Sequence, residues 1–130
     1  VKITIRNLQR KVHVDLARLR KSLPKIAERV GEIKPDLAVL LVSDTRMAKL
    51  HHEFLHETGP TDVITFEHGE IFISVETARR NARRFGSSLG HEIQLYIIHG
   101  LLHLQGFDDR TPRDSARMRR TQEKILRSLR

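Results

Sequence analysis

A chain of 130 residues, 38% of them hydrophobic, has the material for a single buried core. It contains no cysteine, which excludes a disulfide framework and any thiolate metal site and fits a reducing, cytoplasmic setting. The formal net charge of +8 points to a polyanionic partner, and no apolar run approaches the ~20 residues that span a bilayer.

Residues 2 to 6, KITIR, alternate as a strand, and Asp15 is placed to cap a helix running through Val30, with Pro24 predicting a kink or a restart. DLAVLLVS (36 to 43) is an apolar, β-rich run of the kind that forms a buried strand. A short helix is expected from Thr45 to about Glu57, ended by Gly59 and Pro60. DVITFE (62 to 67) and EIFISV (70 to 75) flank His68 and Gly69 as a hairpin. Helices fill 76 to 85, 88 to 104 and 112 to 129, the last opened by Thr111 and Pro112. Strands mixed with a hairpin and terminal helices predict an α+β fold, one domain over residues 1 to 130, with a small mixed sheet packed against helices.

The positive charge is unevenly placed. Between Gly31 and Ala78 the only basic residues are Lys34, Arg46 and Lys49. In TARRNARR (77 to 84), Arg79 and Arg83, and Arg80 and Arg84, fall one helical turn apart. These four are the candidate RNA contacts. With one Tyr, five Phe and no Trp there is little for base stacking, so phosphate contacts should dominate.

Two segments carry histidines at metal-ligand spacing. HEFLHETGPTD (52 to 62) follows the zinc-peptidase pattern, with Glu53 as the potential base. HGLLHLQGFDD (99 to 109) has the same spacing with Gly100 where the glutamate would stand. The helix around each pair separates them. Met47, Leu50 and Phe54 form the apolar stripe of the first helix, which turns His52 and His56 towards solvent. The second lies in SSLGHEIQLYIIHGLLHLQG, apolar in nearly every direction except one wedge of Glu92, Tyr96, His99 and His103. Gly100 beside the wedge leaves room for a ligand, and Gly106 can take the left-handed conformation that turns the chain back. That turn brings Asp108 and Asp109 towards the histidines, at the end of a buried central helix. Two histidines, a carboxylate and an open position are the makings of a catalytic zinc site.

At these residues the sequence resembles the YbeY-type bacterial rRNA maturation factors, metal-dependent proteins regarded as single-strand endoribonucleases. The family's motif His-Gly-x-Leu-His-Leu-x-Gly-Tyr-Asp-His corresponds to HGLLHLQGFDD, with Phe107 for the tyrosine and Asp109 for the third histidine. LHHEFLHETGPTDVITF (50 to 66) and GEIFIS (69 to 74) resemble two further motifs, and the family often has a Met and a Glu near Met118 and Glu123. The resemblance covers roughly residues 35 to 125. It implies one zinc ion on His99, His103 and Asp109, an RNA or ribosomal partner, and hydrolysis in a cleft beside Gly100. Asp108 and Glu92 are then the candidate acid–base residues. The family's arginine falls on Leu55, its asparagine on His51 and its strand aspartate on Glu70. Two other readings stay open: a non-catalytic RNA- or ribosome-binding assembly factor that keeps the metal, which Leu55 favours, and a zinc peptidase built on Glu53.

Overall fold

The computed structural model describes residues 2–55 and 61–129. The elements are β1 (Ile3–Asn7), α1 (Leu16–Val30), β2 (Leu37–Val42), α2 (Asp44–Leu55), β3 (Val63–Thr65), β4 (Glu70–Ser74), α3 (Val75–Phe85), α4 (Leu89–Leu104) and α5 (Pro112–Ser128). The strands form one mixed sheet in the order β1-β2-β4-β3, parallel except for β3, which pairs antiparallel with β4. This is the α+β arrangement that the sequence predicts.

Strand alternation divides the hydrophobic residues between two cores. Leu37, Val39, Leu41, Ile71 and Ile73 share the larger core with side chains of α1, α4 and α5. Leu40, Val42, Ile64 and Phe72 face the other way and pack with Met47 of α2. Because β2 is covered on both faces, its sequence reads as a continuous apolar run and not as an alternation.

Two local expectations are corrected. The helix does not restart at Pro24: α1 continues through it as one helix, with Asp15 accepting from the Arg18 N–H at 3.1 Å as its N-cap. Pro24 lies on the exposed side of the helix, where water can satisfy the Arg20 carbonyl that loses its usual donor. The hairpin loop is longer than the two residues expected. Its frame is set by Phe66, whose N–H donates to the Glu70 carbonyl at 2.8 Å and whose own carbonyl accepts from the Gly69 N–H at 2.9 Å. Gly69 has φ 113°, and a Cβ there would meet the Asp36 carbonyl oxygen at 2.2 Å, so only glycine lets β4 start beside β2.

α4 is the central helix. It contacts α1, α3 and α5 along its sides and β3 and β4 of the sheet. Among the described residues no helix is long and apolar enough to cross a membrane.

Candidate metal centre

The C-terminal end of α4 closes in a Schellman turn. The Phe107 N–H donates to the Leu102 carbonyl at 3.0 Å, the Gly106 N–H donates to the His103 carbonyl at 3.0 Å, and Gly106 has φ 104°. The side chain of Phe107 then packs onto the main core. This reversal, expected from Gly106, returns the following aspartates past the last turn of the helix. His99, His103 and Asp109 each present one ligand atom, and these atoms all lie within 4.8 Å of one another. Both histidines are half-buried and Asp109 is exposed, so the cluster has a packed side and an open side.

His99 is oriented from behind. The His99 and His103 Nε2 atoms are 2.9 Å apart, which directs His99 Nδ1 away from the cluster, onto the Gln122 carboxamide. Gln122 lies on α5 and is buried. Both ends of that carboxamide reach Nδ1, Nε2 at 3.0 Å and Oε1 at 3.3 Å; with Oε1 as the acceptor from an Nδ1–H, the His99 Nε2 lone pair would face His103. Burial holds the pKa of His99 below the ordinary imidazole value, and repulsion from His103 adds to this against the opposing pull of Gln122 and Asp109. A neutral ring is the ligating form. Two facing imidazole nitrogens repel unless a proton or a cation lies between them. With a carboxylate as third donor, this set fits a divalent cation that takes nitrogen and oxygen ligands, and zinc is such an ion.

Above the histidines lies a cleft of about 530 Å³, lined by Val63, Ile64, Thr65, Phe66 and Glu67 on one wall and by Gly106, Phe107, Asp108 and Arg110 on another, with Leu55 also on its surface. Asp108 is therefore where the sequence predicts. Glu92 is not. The helical wheel aligns it with His99, but seven residues at about 1.5 Å of rise per residue put it roughly 10 Å away along the axis. Its buried carboxylate accepts from the Ser87 hydroxyl at 2.7 Å at the start of α4. Tyr96, in the same wedge, accepts from Asn81 Nδ2 at 2.7 Å and ties α3 to α4; burial pushes its pKa up to about 12. Both residues serve the packing of the helix. Gly100 is corrected as well. A Cβ there would lie 2.8 Å from Thr65 Oγ1 and 3.0 Å from Ile71 Cδ1, so the missing side chain admits the sheet and not a ligand.

The other histidine pattern has a different setting. His52 and Glu53 are exposed on α2, and His56 falls outside the described residues. Of the predicted stripe, Met47 is buried and Leu50 half-buried, whereas Phe54 is 56% exposed and meets Phe66 edge to face, at 5.3 Å between ring centroids. On α3, Arg79, Arg83 and Arg84 are exposed. Arg80 is engaged with the Asp44 carboxylate at 2.8 Å; burial works to raise the Asp44 pKa, but hydrogen bonds from Arg80, Ser74 and Thr77 hold it below the ordinary carboxylate value. None of these arginines lines the cleft.

Gln122 escapes a reading of the sequence, which singles out Met118 and Glu123 on the same helix. Met118 is buried and Glu123 is exposed. The available signal was a polar residue on the inward stripe of Met118, Gln122 and Ile125, where an apolar one would be expected.

The chain is similar to known proteins along most of its length. The sequence profile of the family described as Endoribonuclease YbeY matches residues 4–130. A protein of that name from Thermus thermophilus is 37% identical over 121 residues, covering 84% of this chain and 87% of the relative. Another, from Syntrophus aciditrophicus, is 31% identical over 139 residues, covering 95% and 87%. A solution structure of a Thermotoga maritima protein shares the fold with a TM-score of 0.70 at 30% identity, over 98% of this chain and 88% of that one.

Proposed function

Because the chain belongs to the Endoribonuclease YbeY family, we propose that it is a zinc-dependent hydrolase that cuts single-stranded RNA, with ribosomal RNA as the substrate to be matured. The observation that carries this reading is the convergence of His99, His103 and Asp109 beside an open cleft. A divalent ion held there would supply Lewis acidity to a phosphoryl oxygen and make water a usable nucleophile near neutral pH. The chain's own contributions follow from position. Gln122 fixes the His99 ring so that Nε2 faces the ligand cluster. Asp108, which lines the cleft as Glu67 does, is the carboxylate we assign to take a proton from the attacking water. Arg79, Arg83 and Arg84 lie outside the cleft and offer screened, sequence-independent attraction to the polyanion. Arg80, already paired with Asp44, contributes less.

The test is cleavage of labelled single-stranded RNA by the purified protein, with His99→Ala purified in parallel. Metal-dependent cleavage by the wild type that is absent from His99→Ala is the expected result. Equal cleavage by both would assign the activity to a contaminant. A wild type that binds metal and RNA without cutting would favour the assembly-factor reading, for which the specific observation is Leu55, 48% exposed and apolar, on the surface of the cleft.

A further inference from the structure

We infer that Arg110 is the residue that grips the phosphates of the strand entering the cleft. This rests on the RNA-hydrolase reading above and assigns a role within it. The cleft wall is chemically one-sided. Leu55, Val63, Ile64, Phe66, Leu104 and Phe107 are apolar and have no charge to offer a phosphate. Glu67 and Asp108 repel one, and Asp109 adds a third carboxylate at the ligand cluster. Among the described residues that line the cleft, Arg110 is the only side chain with a permanent positive charge. A phosphodiester carries a negative charge per nucleotide, and more negative charge gathers on its oxygens as the bond is attacked. A metal ion at the ligand cluster would offset part of this repulsion at the scissile phosphate, and Arg110 is the side chain that offsets it along the wall.

Among the described residues Arg110 is also uncommitted. Its backbone N–H donates to Asp108 Oδ1 at 3.3 Å, which fixes the turn. Among the described residues no carboxylate lies within 4.0 Å of its guanidinium, whereas Arg80 is paired with Asp44. Arg117, on the same side, lies over the Phe107 ring at 4.7 Å from its centroid, facing a π-surface. An exposed guanidinium next to a ligand cluster, with its fork of donors unused, matches the geometry of a phosphate group. The strand then has a direction of seating. Its phosphates lie towards Arg110, and its bases lie against the apolar wall of Leu55 and Phe66.

The experiment compares Arg110→Gln, Arg110→Lys and Arg113→Gln with the wild type. Arg113 is exposed at the start of α5, does not line the cleft, and controls for a generic loss of charge. Binding of a labelled single-stranded oligonucleotide with 2′-O-methyl riboses is read by fluorescence anisotropy across a salt series, beside steady-state cleavage of the matching RNA. Arg110→Gln should weaken binding by roughly 10-fold or more and flatten the salt dependence by close to one phosphate contact. Arg110→Lys should recover part of the affinity, since it keeps the charge and loses the fork. Arg113→Gln should change binding by less than about twofold. If Arg110→Gln binds and cleaves like Arg113→Gln while the wild type does both, the assignment fails and the RNA reading stands. If the wild type neither binds nor cleaves RNA, the RNA reading itself fails, and the role of Arg110 with it.

Discussion

α2 and α4 each bring a histidine pattern of metal-ligand spacing, and they bury very different amounts of themselves. α2 has one buried residue, Met47, and exposes His52 on its outer face. α4 has eight buried residues, from Glu92 to Leu102, and holds His99 and His103 half-buried at its far end. The contrast teaches that spacing along a helix only makes a site possible. What completes it is support from neighbouring elements: here Gln122 of α5 behind His99, and a Schellman turn that returns Asp109.

The sharpest way to break that comparison is to remove the support and keep the ligands. Gln122→Leu fills a similar volume and leaves His99 Nδ1 without its partner. Metal affinity should fall by about 10- to 100-fold, read by competition with a chelating indicator. Glu53→Ala, made in the exposed pattern, should leave it unchanged. Equal affinities in wild type and Gln122→Leu would mean that packing alone orients the ring.

A smaller effect compares the two ends of α4 through their glycines. Gly100→Ala pushes a methyl group into Thr65 and Ile71 and should lower unfolding free energy by about 1–3 kcal/mol in denaturant titration. Gly90→Ala, exposed in the first turn with no atom within 4 Å of the added carbon, should raise it by roughly 0.5–1 kcal/mol. A neutral Gly100→Ala would restore the idea that this position keeps space for a ligand.

Much of this arrangement is legible in the sequence, because the relevant signals are local. β2 betrays its double burial by an unbroken apolar run, Gly106 marks the helix end, and the polar wedge of α4 singles out His99 and His103. The misreadings share a physical cause. A helical wheel gives angle and ignores length, so Glu92 seemed to stand with the histidines when it stands two turns away. A glycine in a buried helix looks the same whether it admits a ligand or a strand, and only the sheet against Gly100 decides. Gln122 comes from another helix, 23 residues beyond His99, and its contact belongs to tertiary packing that no local pattern carries.

The central claim is that the metal belongs to α4, and metal content tests it directly. Wild type, His52→Ala, His56→Ala, His99→Ala and His103→Ala should be purified side by side with zinc supplied and analysed for metal per chain. The wild type and both α2-pattern variants should retain about one ion each, and the His99 and His103 variants should retain almost none. Metal lost from His52→Ala or His56→Ala and kept in His99→Ala would contradict the account at its root.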